Sequence, residues 1–270
     1  MAIEKGGIMF NRVIQRVLLA VSLIMPASFT YADNHESDNP FIGGGITIID
    51  LVAENPNEYI EQQLGNSQIF EKLGTSLAGV CTAVSGNDFP GEMRVYALFT
   101  SLADAFAMWD VMLTDEEIVD LQRDFSSSRE LIGNQTLQIV KGLEGEIFED
   151  PYGIRILNVN PSNPAAYLRA VTNLEEAFHA NGFDRIQFDV HRPIASGDIG
   201  YYTVIAIAPS LRMLGEAFAA LTSEAWARDA YSLVTASRSS PVSDKAYRCK
   251  PIYPPQYYYD HVYISIITEN

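Results

Sequence analysis

In RIQFDVHR, residues 185–192, Gln187, Asp189 and His191 alternate with Ile186, Phe188 and Val190. An extended chain therefore puts three polar groups on one face and three apolar groups on the other. An imidazole beside a carboxylate is an acid–base pair, because the ring titrates near neutral pH and the carboxylate favours its charged form. Arg155 and Arg248 lie on neighbouring extended runs and are able to join them. Asp189, His191 and Arg248 are accordingly the candidate catalytic or ligand-binding set, expected to converge within hydrogen-bonding reach. The alternative is that this strand lies at a sheet edge and shows its polar face to water.

No other constellation carries chemistry. His35, His179 and His261 are scattered, and Cys81 and Cys249 are far apart, so no metal site is expected. There is no phosphate loop and no GxSxG elbow, and no cofactor is expected. The GGG at 43–45 reads as a hinge. Asn134-Gln135-Thr136 is a glycosylation sequon, relevant only in a glycosylating host.

The elements that would position these residues are written twice. GEMRVYALFTSLADAFAMWD, from Gly91, aligns without a gap on GYYTVIAIAPSLRMLGEAFAA, from Gly200, at an offset of 109, and residues 46–74 align on 154–182 at an offset of 108. Such self-similarity marks an internal duplication. Both copies contain NPxxY, with Asn55-Pro56 and Tyr59 in one and Asn163-Pro164 and Tyr167 in the other. Asparagine caps a helix, proline occupies its first turn, and the tyrosine falls on the apolar face. Gly74 and Gly182 suit left-handed C-terminal caps. Thr114 with Glu117, and Thr222-Ser223-Glu224, have the spacing that restarts the second helix. Each copy reads β-α-β-β-α-β, which makes an antiparallel sheet of order 4-1-3-2 with both helices on one face and the other face bare.

The strand-turn-helix with its SLxxxxxxF/W pattern, the short TSEAW helix and the fourth strand resemble the dimeric α/β-barrel superfamily, which includes antibiotic-biosynthesis-monooxygenase-like (ABM-like) and NIPSNAP-like domains. The resemblance spans residues 45–252 as a tandem. It implies an α+β fold of two fused ferredoxin-like units that close an α/β-barrel within one polypeptide, a monomeric pseudo-dimer. It also implies a pocket between sheet and helices. The haem-degrading branch uses an asparagine on the first strand, a tryptophan on the second helix and a nearby histidine. Asn158, Trp109 and Trp226 match the first two, and no histidine stands near them. With Tyr167 they are the candidate ligand contacts, against a reading in which the large aromatics are core and Asn158 ends a strand. In the implied barrel the second strand of one unit meets the fourth strand of the other, which would bring Cys81 to Cys249 as a disulfide. Two buried free thiols are the alternative.

Upstream, Arg12 and Arg16 precede the apolar run 17–29 and then Thr30-Tyr31-Ala32, the order of a secretory signal peptide, cleaved after Ala32. Met9 is a second possible start. Without residues 1–32 the chain keeps 15 basic and 33 acidic residues. That acidity argues against nucleic acid and anionic membrane surfaces as partners. The expected organisation is a signal peptide (1–32), a linker (33–44), units at 45–145 and 152–252, and a tyrosine-rich tail (253–270). The expected protein is periplasmic or secreted, not membrane-embedded after cleavage, and binds a small, largely apolar molecule. Its rivals are an ABM-like cofactor-independent oxygenase or isomerase and a non-catalytic interaction protein.

Overall fold

The computed structural model describes residues 39–143, 151–196 and 201–254, all within the compact unit Ser37–Asn270. The expected signal peptide and nearly all of the tail lie outside them. In the first half β1 (Gly45–Ala53), α1 (Pro56–Gly65), α2 (Ile69–Lys72), β2 (Leu77–Ser85), β3 (Glu92–Phe99), α3 (Leu102–Thr114), α4 (Glu116–Phe125) and β4 (Arg129–Lys141) follow in order. The second half repeats this with β5 (Tyr152–Val159), α5 (Pro164–Ala180), β6 (Gln187–Ala195), β7 (Tyr202–Ala208), α6 (Leu211–Ser223), α7 (Ala225–Ala236) and β8 (Ser243–Tyr253).

Helix ends follow the sequence at the NPxxY sites. The Asn55 and Asn163 side chains accept from the amides of Glu58 and Ala166, each with proline in the first turn. Gly74 and Gly182 adopt φ of 68° and 89°, as left-handed caps require. The restart of the second helix differs from expectation. Asp115, not Thr114, caps α4 by accepting from the Ile118 amide, and the Thr114 hydroxyl donates to the Asp110 carbonyl at the end of α3. At α7 the cap position is Glu224 with no side-chain cap bond, and the Thr222 and Ser223 hydroxyls donate to the Ala219 carbonyl instead. A hydroxyl in the last turn of one helix finds a free carbonyl nearer than the next helix's amides.

The eight strands close into one antiparallel barrel in the order β1-β3-β2-β8-β5-β7-β6-β4. Within each half the order is 4-1-3-2, and the halves meet at two seams, β2 with β8 and β4 with β6. No strand is left as an edge, so the polar face of β6 turns into the barrel rather than toward water. Alternation then sorts the side chains. Ile46, Ile48, Leu98 and Leu137 from one half and Ile154, Ile156, Ile205 and Tyr247 from the other fill the lumen. The intervening residues face the helices: Leu51, Val95 and Phe99 pack with Tyr59, Phe70 and Met108, and Phe188, Val190 and Val204 pack with Tyr167, Leu174 and Phe178.

Both seams carry a cross-link. At the first, Cys81 and Cys249 are bonded. At the second, Lys141 on β4 lies 2.5 Å from Glu175 on α5 and donates to the Phe188 carbonyl, while Glu175 accepts from the Phe188 amide. All three residues are buried. The ion pair thus satisfies backbone groups at the register shift where β4 leaves β6.

Candidate functional site

Two interior spaces are bounded by polar groups. The first lies inside the barrel, a cavity of about 60 Å³ whose walls include Ile46, Leu98, Ile154 and Ile205 with Arg94, Tyr96 and Asp189. Asp189 and His191 project into the lumen from alternate positions of β6, with Asp189 Oδ2 2.7 Å from His191 Nε2. Both residues are buried, and Asp189 Oδ1 and both ring nitrogens of His191 have no hydrogen-bond partner among the described residues. Nearby, Arg94 pairs with Asp50 at 2.7 Å and stands over the Tyr247 ring, and the hydroxyls of Tyr96 and Tyr152 meet. Burial pushes the Tyr96 phenol well up, reinforced by Tyr152.

Arg248 does not join them. It is exposed on the outer face of β8, between the inward-facing Tyr247 and Cys249, where it lines a surface groove with Thr82 and Lys250. The expected convergence of three residues is therefore a contact of two, because strand alternation aims Arg248 away from the lumen. Arg155 likewise faces outward, bonded to both oxygens of Asp244 and stacked over Phe218 at 4.3 Å.

The second space lies between sheet and helices of the first half. In the second half α5 is a continuous 17-residue helix packed along α7. In the first half the 10-residue α1 stops early, and α1 and α4 scarcely touch. The gap is a cleft of about 70 Å³, floored by Thr47 and Ile49 of β1 and walled by Phe70, Met108, Met112 and Phe125. Six polar residues line it: Thr47, Tyr59, Gln63, Tyr96, Gln122, whose side-chain amide donates to the Met112 carbonyl, and Arg129. The Thr47 hydroxyl is buried without a hydrogen-bond partner among the described residues, and Gln63 lines the cleft with it, 6% exposed. The Tyr59 hydroxyl accepts from Arg129 Nη1 at 2.7 Å, and the Arg129 guanidinium stands over the Tyr59 and Phe125 rings. Burial raises the Tyr59 phenol's pKa, against the opposing pull of Arg129.

The expected ligand contacts sit elsewhere. Trp109 packs against the first core and donates from Nε1 to the Thr136 hydroxyl. Trp226 meets Phe178 edge-to-face and leans on Phe183. Tyr167 is wholly inside the second core, and Asn158 accepts from the Thr203 hydroxyl at 3.0 Å. None of the four borders the cleft or the lumen cavity. Tyr59, the other NPxxY tyrosine, is the one that does. A signal for this was available in the repeat: at the 108-residue offset Gln63 matches Val171, and at 109 Met108 matches Ala217 and Ile118 matches Ala227. In the half with these smaller, apolar residues α5 packs along α7.

No protein-family model matches the chain, and no curated protein does. Among solved structures it is similar to an anthrone oxidase-like protein, at 13% identity and a TM-score of 0.50 over 79% of this chain and 95% of that one. It is also similar to a proposed monooxygenase from Lactobacillus acidophilus (12% identity, TM-score 0.49, 77% of this chain and 94% of that one). A chlorite dismutase from Candidatus Nitrospira defluvii matches at 12% and 0.47, over 78% of this chain and 92% of that one. The fold is thus α+β, a closed eight-stranded antiparallel barrel similar to that of the anthrone oxidase-like protein. Among the described residues no helix is long and apolar enough to cross a membrane, and no group of metal-ligating side chains is assembled.

A haem of the kind the haem-degrading resemblance implies does not fit the cleft. His179 Nε2 lies 2.7 Å from the Ile186 carbonyl oxygen and His191 is in the lumen, so neither described histidine borders it.

Proposed function

We propose that this chain is an exported tandem of two ferredoxin-like units, each standing in for one subunit of a dimeric α/β-barrel, and that it binds a small, largely apolar molecule in the helix–sheet cleft of the first unit. The cleft's Thr47 hydroxyl, buried without a hydrogen-bond partner among the described residues, supports this most directly. Buried polar groups are ordinarily satisfied, and here one lines an apolar chamber where a bound molecule would meet it. Export agrees with the signal-like N-terminus and with a disulfide, which persists in oxidising compartments. A purely structural or interaction role predicts helix–sheet interfaces packed solid in both halves, and the first is not.

Cofactor-independent oxygenation or isomerisation of the bound molecule is the second reading. The fold likeness to an anthrone oxidase-like protein favours it, as does the ABM-like pattern of the sequence, by analogy of fold alone. Native mass spectrometry of protein purified from its own host tests the binding reading. A retained apolar molecule is expected, absent when Met108→Trp fills the cleft. No retained mass, or retention unaffected by that substitution, counts against it. Oxygen uptake on adding the retained molecule would separate enzyme from carrier.

A further inference from the structure

We infer that the cleft's ligand carries a carboxylate, and that Arg129 receives it: the site takes an alkyl carboxylate, with the chain inside and the head at the rim. The inference rests on the cleft being the binding site and adds the chemical class. The chain has 34 acidic and 18 basic residues, so carboxylates are plentiful, yet among the described residues no acidic side chain forms an ion pair with Arg129. It is half-buried at the start of β4, held over Tyr59 and Phe125, with only the Tyr59 hydroxyl as a side-chain acceptor. Its counterpart at the 109-residue offset, Arg238, donates from both Nη atoms to protein acceptors, the Tyr231 hydroxyl and the Ser239 carbonyl, and buries its Nε without a partner among the described residues. Arg129 makes one such bond, from Nη1 to the Tyr59 hydroxyl. A planar fork with free donors fits a carboxylate's two oxygens.

Shape sets the rest of the molecule. A cleft of about 70 Å³ admits an alkyl chain only as Met108 and Met112, unbranched and adaptable, move aside. Thr47 and Gln63 lie farther in, able to bond an oxygen substituent on that chain.

Calorimetric titration of the full protein at pH 8 with octanoate and with 1-octanol tests this. Octanoate is expected to bind at least tenfold more tightly than octanol. Arg129→Gln should remove that advantage and leave octanol unchanged, and Arg129→Lys should keep part of it, with near-UV circular dichroism confirming each fold. Equal binding of the two probes, indifferent to Arg129→Gln, would overturn the carboxylate assignment and leave the apolar cleft standing. Binding of either probe that survives Met108→Trp, or binding of neither, would overturn the cleft itself and the assignment with it.

Discussion

Cys81 and Cys249 are register partners directly opposite each other on β2 and β8, their Cα atoms 4.0 Å apart and their sulfurs bonded. The bond joins strands from different halves across 168 residues of sequence. Both cysteines are buried, under Tyr152 and Tyr247.

Cross-linking residues this distant is worth about 5 kcal/mol on the chain-entropy model. Replacing both cysteines by alanine should therefore lower the denaturant midpoint substantially without changing the fold, since β2 and β8 still pair along the seam. Equilibrium unfolding of the oxidised protein and of the double variant gives the comparison. A thiol count in denaturant without reductant should find none free, and two would contradict the bond.

The lumen is apolar on both sides, so neither half can hide its inner face alone. A fragment spanning residues 45–145 would expose Ile46, Ile48, Leu98 and Leu137 together, and should self-associate or aggregate. Sedimentation of that fragment checks it, with a well-folded monomer as the contrary result.

Asp189 and His191 are each other's nearest polar neighbour in the lumen. Removing the ring by His191→Leu leaves the buried Asp189 side chain facing isoleucines without its imidazole neighbour and should cost about 3 kcal/mol or more. Adding Asp189→Leu to that variant should recover much of the loss, because no buried polar group remains there. Denaturant unfolding of the single and double variants measures the difference. Equal stability of the single variant and the parent would show that the pair carries no such coupling.

Acid should weaken the barrel through two carboxylates. Burial pushes the Glu92 carboxyl up, but the hydrogen bonds from Lys245, the Asp88 amide and the Tyr247 hydroxyl outweigh it and hold it below its ordinary value. The hydrogen bond from Arg155 does the same for Asp244. A depressed carboxylate pKa contributes stability that is present above the unfolded value and lost as pH falls through the folded one. The urea midpoint should therefore hold down to about pH 5 and fall below about pH 4. In Lys245→Met the Glu92 carboxyl loses the largest of the hydrogen bonds that oppose burial, so the midpoint at neutral pH should be lower and the fall in acid smaller than in the parent. Lys245 itself, lowered by burial but raised further by Asp88 and Glu92, contributes below the unfolded lysine value and loses that contribution as pH rises through the folded one. A midpoint that ignores pH in both proteins would refute this account.

Local chemistry was legible in the sequence. The two NPxxY caps, the closing glycines and the β-α-β-β-α-β order each depend on neighbours a few residues away, and a duplicated sequence states them twice; the polar–apolar alternation of β6 was equally local. The meeting of Cys81 with Cys249 could be reasoned from strand order once a barrel was supposed. What each side chain faces was not legible in the same way. Arg248 and Asp189 both sit on strands, and only the register across two seams decides that one looks outward and the other inward. The tyrosine that borders a cleft is Tyr59 and not Tyr167, though the motif around them is the same, because α1 ends after ten residues while α5 runs on to pack along α7. An open space is set by how far helices stand apart, and that distance is a property of the packed whole, carried by no single stretch of the chain.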